Sequence, residues 1–206
     1  MGSIVADVAR LTGRALLALL LASPVCGEVH AVFIPPGESL PCVSRSEALF
    51  ITHLYIAAID VERHSPSWIV YKVSRGDFNE NHMERHWRTH FPQSLEAADY
   101  KKSGYQIGHL YAVASVDALR HAYEVNYTDV CAPMRPKLNG DYFAKYEQLI
   151  RDLADQYGEV YVMVRCLWRK PMPRLPNADE PHEIPSHFLV RISYGDTVAE
   201  RTFANE

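Results

Sequence analysis

Apolar side chains recur at helical spacing in one segment of the C-terminal half of the chain. The pattern begins near Asn139 and continues through Phe143, Ile150 and Ala154 at intervals that place these side chains on one helix face. Gly158 ends the pattern, as glycine commonly does at a helix C-terminus. The segment therefore predicts one long amphipathic helix.

Four other segments are typical of β-strands. Residues 54–61 are rich in β-forming side chains and residues 68–73 alternate after a polar turn, so the two predict a hairpin. Residues 159–166 also alternate, and residues 187–194 form a further predicted strand. Strands on both sides of a single helix predict an α/β domain, more specifically α+β, with a mixed, largely antiparallel sheet.

The length of 206 residues and the formal net charge of −4 favour one domain of ordinary composition. The negative charge argues against a protein that coats nucleic acid electrostatically, but it does not exclude an enzyme with basic groups in one cleft. Three prolines and Gly37 make residues 28–48 an extended lead-in. The domain itself is expected over residues 49–206.

Residues 1–27 are typical of a secretory signal peptide. Arg10 and Arg14 precede an apolar run over residues 15–22, and small residues follow as far as Gly27. This run is too short to span a bilayer comfortably. We therefore expect cleavage after Gly27 and a secreted, extracellular protein with no stable membrane association. A single membrane anchor or a buried N-terminal helix is the alternative.

Cleavage at that point removes Cys26 and leaves three cysteines, which is an odd number for a secreted chain. Cys131 and Cys166 each end an apolar run, so a disulfide between them on neighbouring strands is one expectation. Buried, reduced thiols at Cys42, Cys131 and Cys166 are an equally good interpretation.

Three short motifs carry candidate chemistry: Arg85-His86-Trp87-Arg88, then Gly108-His109, then Asn139 with Glu147 eight residues further on. Each alone has an ordinary structural explanation, because an Asn before a helix is commonly its N-cap and charged residues are commonly solvated. Together and in this order they resemble the DNA/RNA non-specific endonucleases of the ββα-metal superfamily, over about residues 50 to 194.

The resemblance implies a ββα-metal core with one long catalytic helix, and an endonuclease that hydrolyses DNA and RNA with little sequence specificity. It implies that His109 is the general base, that Arg85 clamps a phosphate and that Asn139 binds Mg²⁺, with Mn²⁺ as the alternative ion. Glu147 lies two helical turns from Asn139, about 12 Å along the axis, which suits a hydrogen bond to a metal-bound water. The further candidates for nucleic-acid binding are Arg88, Arg135 and Lys137.

The sequence departs from the family pattern in front of the motif histidine. The family's Asp-Arg is Gln106-Ile107 here, and its later Ser-Asn is Thr128-Asp129. Loss of the arginine favours the alternative of a catalytically degenerate nuclease-fold protein that binds nucleic acid or a protein partner. Retention of the other motif residues favours the enzyme.

Two other patterns are weaker signals. His82, His86 and His90 recur every four residues but lack the glutamate of a His-Glu-x-x-His zinc motif, so exposed histidines are expected. Asn126-Tyr127-Thr128 is an N-glycosylation sequon. It lies in a predicted strand, and we do not expect it to be occupied.

Overall fold

A six-stranded antiparallel sheet organises the protein. The computed structural model describes residues 33–77, 86–89, 94–116, 121–179 and 182–206. The sheet has the order β1-β2-β3-β6-β7-β8, and a separate antiparallel pair is formed by β4 and β5. The strands are β1 (Glu47–Ile51), β2 (Tyr55–Asp60), β3 (Ser65–Ser74), β4 (Gln106–His109), β5 (Cys131–Met134), β6 (Glu159–Leu167), β7 (His187–Tyr194) and β8 (Thr197–Ala204).

The predicted α+β class with a largely antiparallel sheet is confirmed. The expected hairpin is β2 and β3, whose antiparallel register carries an irregularity at Ala58 and Ile59. The predicted strands near residues 159 and 187 are β6 and β7, which also pair antiparallel. Strands β1 and β8 were not predicted. They are the two edge strands of the sheet, and all but one of their residues are at least partly exposed. The apolar residues of β1 form a short run over 48–51 without alternation, and half of the residues of β8 are polar.

The predicted helix begins with a wide turn. A π-helical segment, Leu138–Phe143, leads directly into the helix α1 (Ala144–Tyr157). Gly158 ends α1 with a φ of 93°, a conformation that glycine adopts without strain, and its N–H donates to the Ala154 carbonyl. The Arg75 side chain donates to the Asp155 carbonyl at 2.8 Å, which satisfies another carbonyl in the last turn.

The two faces of the large sheet are covered differently. Helix α1 packs its buried side chains against one face. Phe143, the last residue of the π-helical segment, contacts Phe188 and Phe203 edge to face on the same side. The other face carries a smaller cluster in which Phe33 of the lead-in packs near Trp68. The face under α1 is also where β5 contributes Ala132 and Met134 to the core. Within the ranges given above, no helix is long and apolar enough to cross a membrane.

The structure contradicts the expected disulfide between Cys131 and Cys166, because neither residue is disulfide-bonded. Cys131 lies on β5 in the small sheet and Cys166 lies on β6 in the large sheet, so no ladder places them opposite each other. The Cys131 thiol lies 3.4 Å from the Tyr127 carbonyl, and burial raises the pKa of the Cys166 thiol. Both side chains are buried thiols, whereas Cys42 is exposed.

Candidate nuclease site

Strands β4 and β5 and the helical segment after them form a ββα unit. In the ladder, Gly108 pairs with Ala132 and His109 pairs with Cys131. A side chain at position 108 would collide with Met134, since an added Cβ would lie 2.9 Å from its Cε and closer still to its Sδ and Cγ. Met134 is fully buried. The glycine of the Gly-His motif is therefore required by the close passage of a core side chain over β4.

His109 is the last residue of β4 and is half-buried. Its Nε2 lies 3.1 Å from the amide oxygen of Asn126, and the Trp87 ring lies 5.1 Å from its imidazole, centroid to centroid. An amide oxygen only accepts hydrogen bonds, so the proton of this bond is on Nε2. The neutral ring then has Nδ1 as its basic nitrogen.

Asn126 is the residue of this site that sequence reasoning missed. It ends a short 3₁₀ helix (Ala122–Asn126) and is only 2% exposed. Its side chain contacts His109 and is buried. The strand expected at Asn126-Tyr127-Thr128 was wrong, because Asn126 ends one 3₁₀ helix and Thr128 begins the next. The only sequence signal was the sequon itself, which points to a surface asparagine and thus away from the role that the fold gives this residue.

Asn139 lies inside the first turns of the helical segment and is not its N-cap. Its backbone N–H donates to the Arg135 carbonyl at 3.0 Å, as a residue within a helix does. Its side-chain amide donates to the Gln106 side-chain oxygen at 3.0 Å, which ties the helix to the start of β4. This bond uses the nitrogen end of the amide and turns its oxygen elsewhere. π-Helical turns of this kind are frequent at functional sites.

Glu147 lies in the first turn of α1 and is half-buried. Burial raises the pKa of its carboxyl group to about 7, and the charge of Arg151 opposes that rise only partly. The same carboxylate raises the pKa of Tyr71, after the larger effect of that residue's own burial. Glu147 therefore faces the interior between α1 and β3, where a nearby cation would favour its charged form.

Four basic residues were predicted to meet phosphates, and three of them lie in described segments. Arg135 and Lys137 flank the connection from β5 to the helix. The Arg135 guanidinium stacks over Tyr105 at 4.2 Å, and the exposed Lys137 ammonium lies 5.5 Å from the centre of the Tyr142 ring. Arg88, which is exposed, follows Trp87 directly in sequence. Arg85, the predicted phosphate clamp, lies outside the described residues.

The two residues that replace the family's Asp-Arg, Gln106 and Ile107, have different surroundings. Gln106 accepts the hydrogen bond from Asn139, so it supplies an acceptor oxygen without a negative charge. Ile107 packs against an apolar cluster that includes Tyr105, Leu175 and Ile184. An apolar side chain at position 107 is thus accommodated by packing and contributes no charge to the site.

The donor chemistry of the unit fits a hard divalent cation. The side chains of Asn139 and Glu147 offer an amide oxygen and a carboxylate, which are the oxygen ligands that Mg²⁺ and Mn²⁺ prefer. The oxygen end of the Asn139 amide is left for such an ion, because Gln106 holds the nitrogen end. An ion at this place would be held by the Asn139 side chain.

Comparison with known proteins gives one consistent result. Residues 42–206 match the family model described as DNA/RNA non-specific endonuclease. The chain is 24% identical to the nuclease of Serratia marcescens over 200 residues, which is 92% of this chain and 75% of that protein. It is 23% identical over 127 residues to the mitochondrial nuclease 1 of Schizosaccharomyces pombe, which is 57% of this chain and 39% of that protein.

The fold has a solved counterpart. A chain in the crystal structure of the EndoG/EndoGI complex superimposes with a TM-score of 0.69 at 18% identity, over 90% of this chain and 81% of that chain. At this identity the similarity concerns the fold. It supports the arrangement of strands and helix described above, including the ββα unit.

Proposed function

Because the chain belongs to the DNA/RNA non-specific endonuclease family, we propose that it is a secreted endonuclease that cleaves DNA and RNA with Mg²⁺, or with Mn²⁺ in its place. The observation that carries the proposal is the ββα unit itself. It holds His109 by Asn126 at the end of β4 and ties Asn139 to the start of the same strand through Gln106.

In this proposal His109 is the general base that removes a proton from the attacking water. The Asn126 amide oxygen accepts a hydrogen bond from the Nε2–H group and so keeps the lone pair on Nδ1, where it can receive the proton of that water. The ring of Trp87 limits the tilt of the imidazole from one side. Asn126 thus has the role of an orienting group, comparable to the acid that fixes the histidine of a hydrolase triad.

Asn139 is the proposed metal ligand. A divalent cation held there would supply charge neutralisation at the phosphate and at the leaving oxygen. Glu147 would hydrogen-bond to a water molecule of that site, since its distance along the helix from Asn139 is too great for direct shared ligation. Mg²⁺ characteristically keeps several of its water ligands when it binds to a protein.

Low sequence specificity follows from what the basic residues can contact. Arg88, Arg135 and Lys137 are exposed or half-exposed, and cationic side chains at the surface contact phosphates, which are the same in every sequence. The site would then position the backbone of the nucleic acid without reading base edges. This supports activity on both DNA and RNA.

The Gln106-Ile107 departure favours a slower enzyme over a dead one. Gln106 keeps the acceptor that orients Asn139, so the proposed metal ligand is still aligned. The absence of the family's arginine at position 107 removes one phosphate contact. Arg135 lies in the same ββα unit, two residues before Lys137, and is another source of positive charge there. A binding protein without catalysis is the alternative that the experiment below addresses.

The test is plasmid nicking by the purified protein with Mg²⁺ and with EDTA. His109→Ala should lower the rate at least about 10²-fold, the low end for a general acid–base group. Asn139→Ala should slow the reaction and raise the Mg²⁺ concentration that it requires, whereas Asn177→Ala, at an exposed asparagine, should change neither. Parent protein that binds plasmid but never nicks it would establish the degenerate alternative instead.

Export is a separate part of the proposal and is supported by the sequence of residues 1–27. Protein recovered from the culture medium should begin near Glu28 by N-terminal sequencing. Recovery only inside the cell, with Met1 intact, would contradict export without affecting the proposed chemistry.

A further inference from the structure

Two histidines and a buried glutamate lie close together beside the 3₁₀ helix Ala122–Asn126, on the side that faces β2. His53 lies in the turn between β1 and β2, while His121 and Glu124 lie at the 3₁₀ helix that ends at Asn126. The His53 Nδ1 is 2.8 Å from Glu124 Oε1, and the His121 Nδ1 is 3.4 Å from the same oxygen. The three ligand atoms all lie within 4.8 Å of one another.

Glu124 is more deeply buried than a glutamate in a surface cluster usually is. Its side chain is only 6% exposed, and its second oxygen accepts the backbone N–H of His53 at 3.1 Å. The His121 Nδ1 is buried and lies outside hydrogen-bonding geometry with the carboxylate, and no residue in the described ranges gives it a hydrogen bond. A buried ring nitrogen and a buried carboxylate that face one point are a favourable setting for a cation.

We propose that His53, His121 and Glu124 form a zinc site that is distinct from the Asn139 site. Two imidazoles and one carboxylate are an established ligand set for Zn²⁺, with water as the fourth ligand. Imidazole ligands also favour a borderline ion such as Zn²⁺ over Mg²⁺, which prefers oxygen ligands throughout. The two sites are therefore selective for different ions.

Tetrahedral bonds of about 2.0–2.1 Å place ligand atoms roughly 3.4 Å apart. The separation of His121 Nδ1 from Glu124 Oε1 already has this value. The two imidazole rings are stacked, with centroids 4.0 Å apart and planes 8° from parallel, so one ring must tilt for both nitrogens to point at the ion. His53 is the ring that can move, because its side chain is 67% exposed.

A zinc ion at this position would fasten the 3₁₀ helix to the turn before β2. The hydroxyl group of Tyr55 already donates to the Glu124 carbonyl at 2.9 Å, so the ion would strengthen an existing attachment. The fastened segment ends at Asn126, whose side chain holds His109. The site would therefore act as a structural support two residues from a positioning residue of the nuclease site.

The experiment measures Zn²⁺ binding to metal-free protein in competition with a colorimetric chelator. The parent protein should bind one Zn²⁺ per chain tightly. Removing a ligand should weaken binding at least about 100-fold, the upper end for loss of a partner that only supports a ligand. His53→Ala and His121→Ala both remove a ligand, and His53→Ala disturbs the packing less because the His53 side chain is 67% exposed.

Two control variants make the result specific. His64→Asn alters another histidine that lies beside a histidine ring, His182, but has no carboxylate among its contacts in the described residues. Asparagine tolerates the positive φ of 51° at that position. Asn139→Ala removes the proposed Mg²⁺ ligand. Neither control should weaken Zn²⁺ binding, and loss of binding in Asn139→Ala but not in His53→Ala would overturn the proposal.

Hydrogen exchange provides a readout that does not depend on nuclease activity. Zn²⁺ should slow exchange of the Glu124 amide, which donates to the His121 carbonyl at 2.8 Å, and this protection should be absent in His53→Ala. Equal exchange with and without Zn²⁺ in the parent protein would refute the supporting role. Either result stands whether or not the chain proves to be a nuclease.

Discussion

Glu147 provides a test in which stability and activity should move in opposite directions. Burial raises the pKa of this carboxyl group from 4.5 to about 7. The folded protein therefore holds the proton more tightly than the unfolded chain. As the pH rises above about 4.5, the unfolded chain gains stability by ionising while the folded protein does not, and folding stability falls until the pH reaches about 7.

Glu147→Gln removes this ionisation while keeping the shape of the side chain. A shift from 4.5 to about 7 corresponds to a penalty of about 3 kcal/mol at 1.36 kcal/mol per pKa unit. The variant should therefore be more stable than the parent by up to about 3 kcal/mol at pH 8, and nearly equal to it at pH 4. Its nicking rate should fall about 10- to 100-fold, as for loss of a group that supports a metal ligand.

The measurement is urea unfolding of both proteins in EDTA at pH 4, 6 and 8. Glu159→Gln is a matched control of opposite sign. Burial tends to raise the pKa of the Glu159 carboxyl, but hydrogen bonds from Tyr161 and Lys72 outweigh burial and lower it. That variant should lose stability relative to the parent as the pH rises through the acid range. A Glu147→Gln protein no more stable than the parent at pH 8 would show that the carboxylate is not desolvated.

Three further outcomes follow from the packing around β4 and from the cysteines. Gly108→Ala should lower the free energy of unfolding by about 1–3 kcal/mol, because the added methyl group meets buried Met134, and an unchanged urea midpoint would contradict that contact. Asn126→Ala should lower kcat at least about tenfold with little change in KM, since it orients His109, and a change confined to KM would argue for a binding role. A thiol reagent should modify exposed Cys42 quickly and the two buried cysteines only after unfolding, whereas fewer than three thiols in the unfolded chain from residue 28 onward would show that a disulfide forms.

Local patterns determined much of the fold. The helix from Asn139 to Gly158 and the hairpin of β2 and β3 were predictable because their side chains must alternate or recur at a fixed period to bury one face. Strand β8 has no such period, because it lies at an edge of the sheet and most of its side chains are exposed. Its pairing with β7 uses backbone hydrogen bonds, which leave no side-chain pattern in the sequence, and Phe203 is its one buried residue.

The motif residues were also identifiable from the sequence, whereas their partners were not. His109 and Asn139 belong to an ordered set of short motifs. Asn126 was interpreted as part of a glycosylation sequon and not as a partner of His109. His53 lies 71 residues from the glutamate that it contacts. The same limit explains the mistaken disulfide, because the ends of two apolar runs gave no information that Cys131 and Cys166 belong to different sheets. Sequence periodicity reports which face of an element is buried. Only the tertiary structure decides which faces meet, because that choice depends on the packing of the whole chain at once.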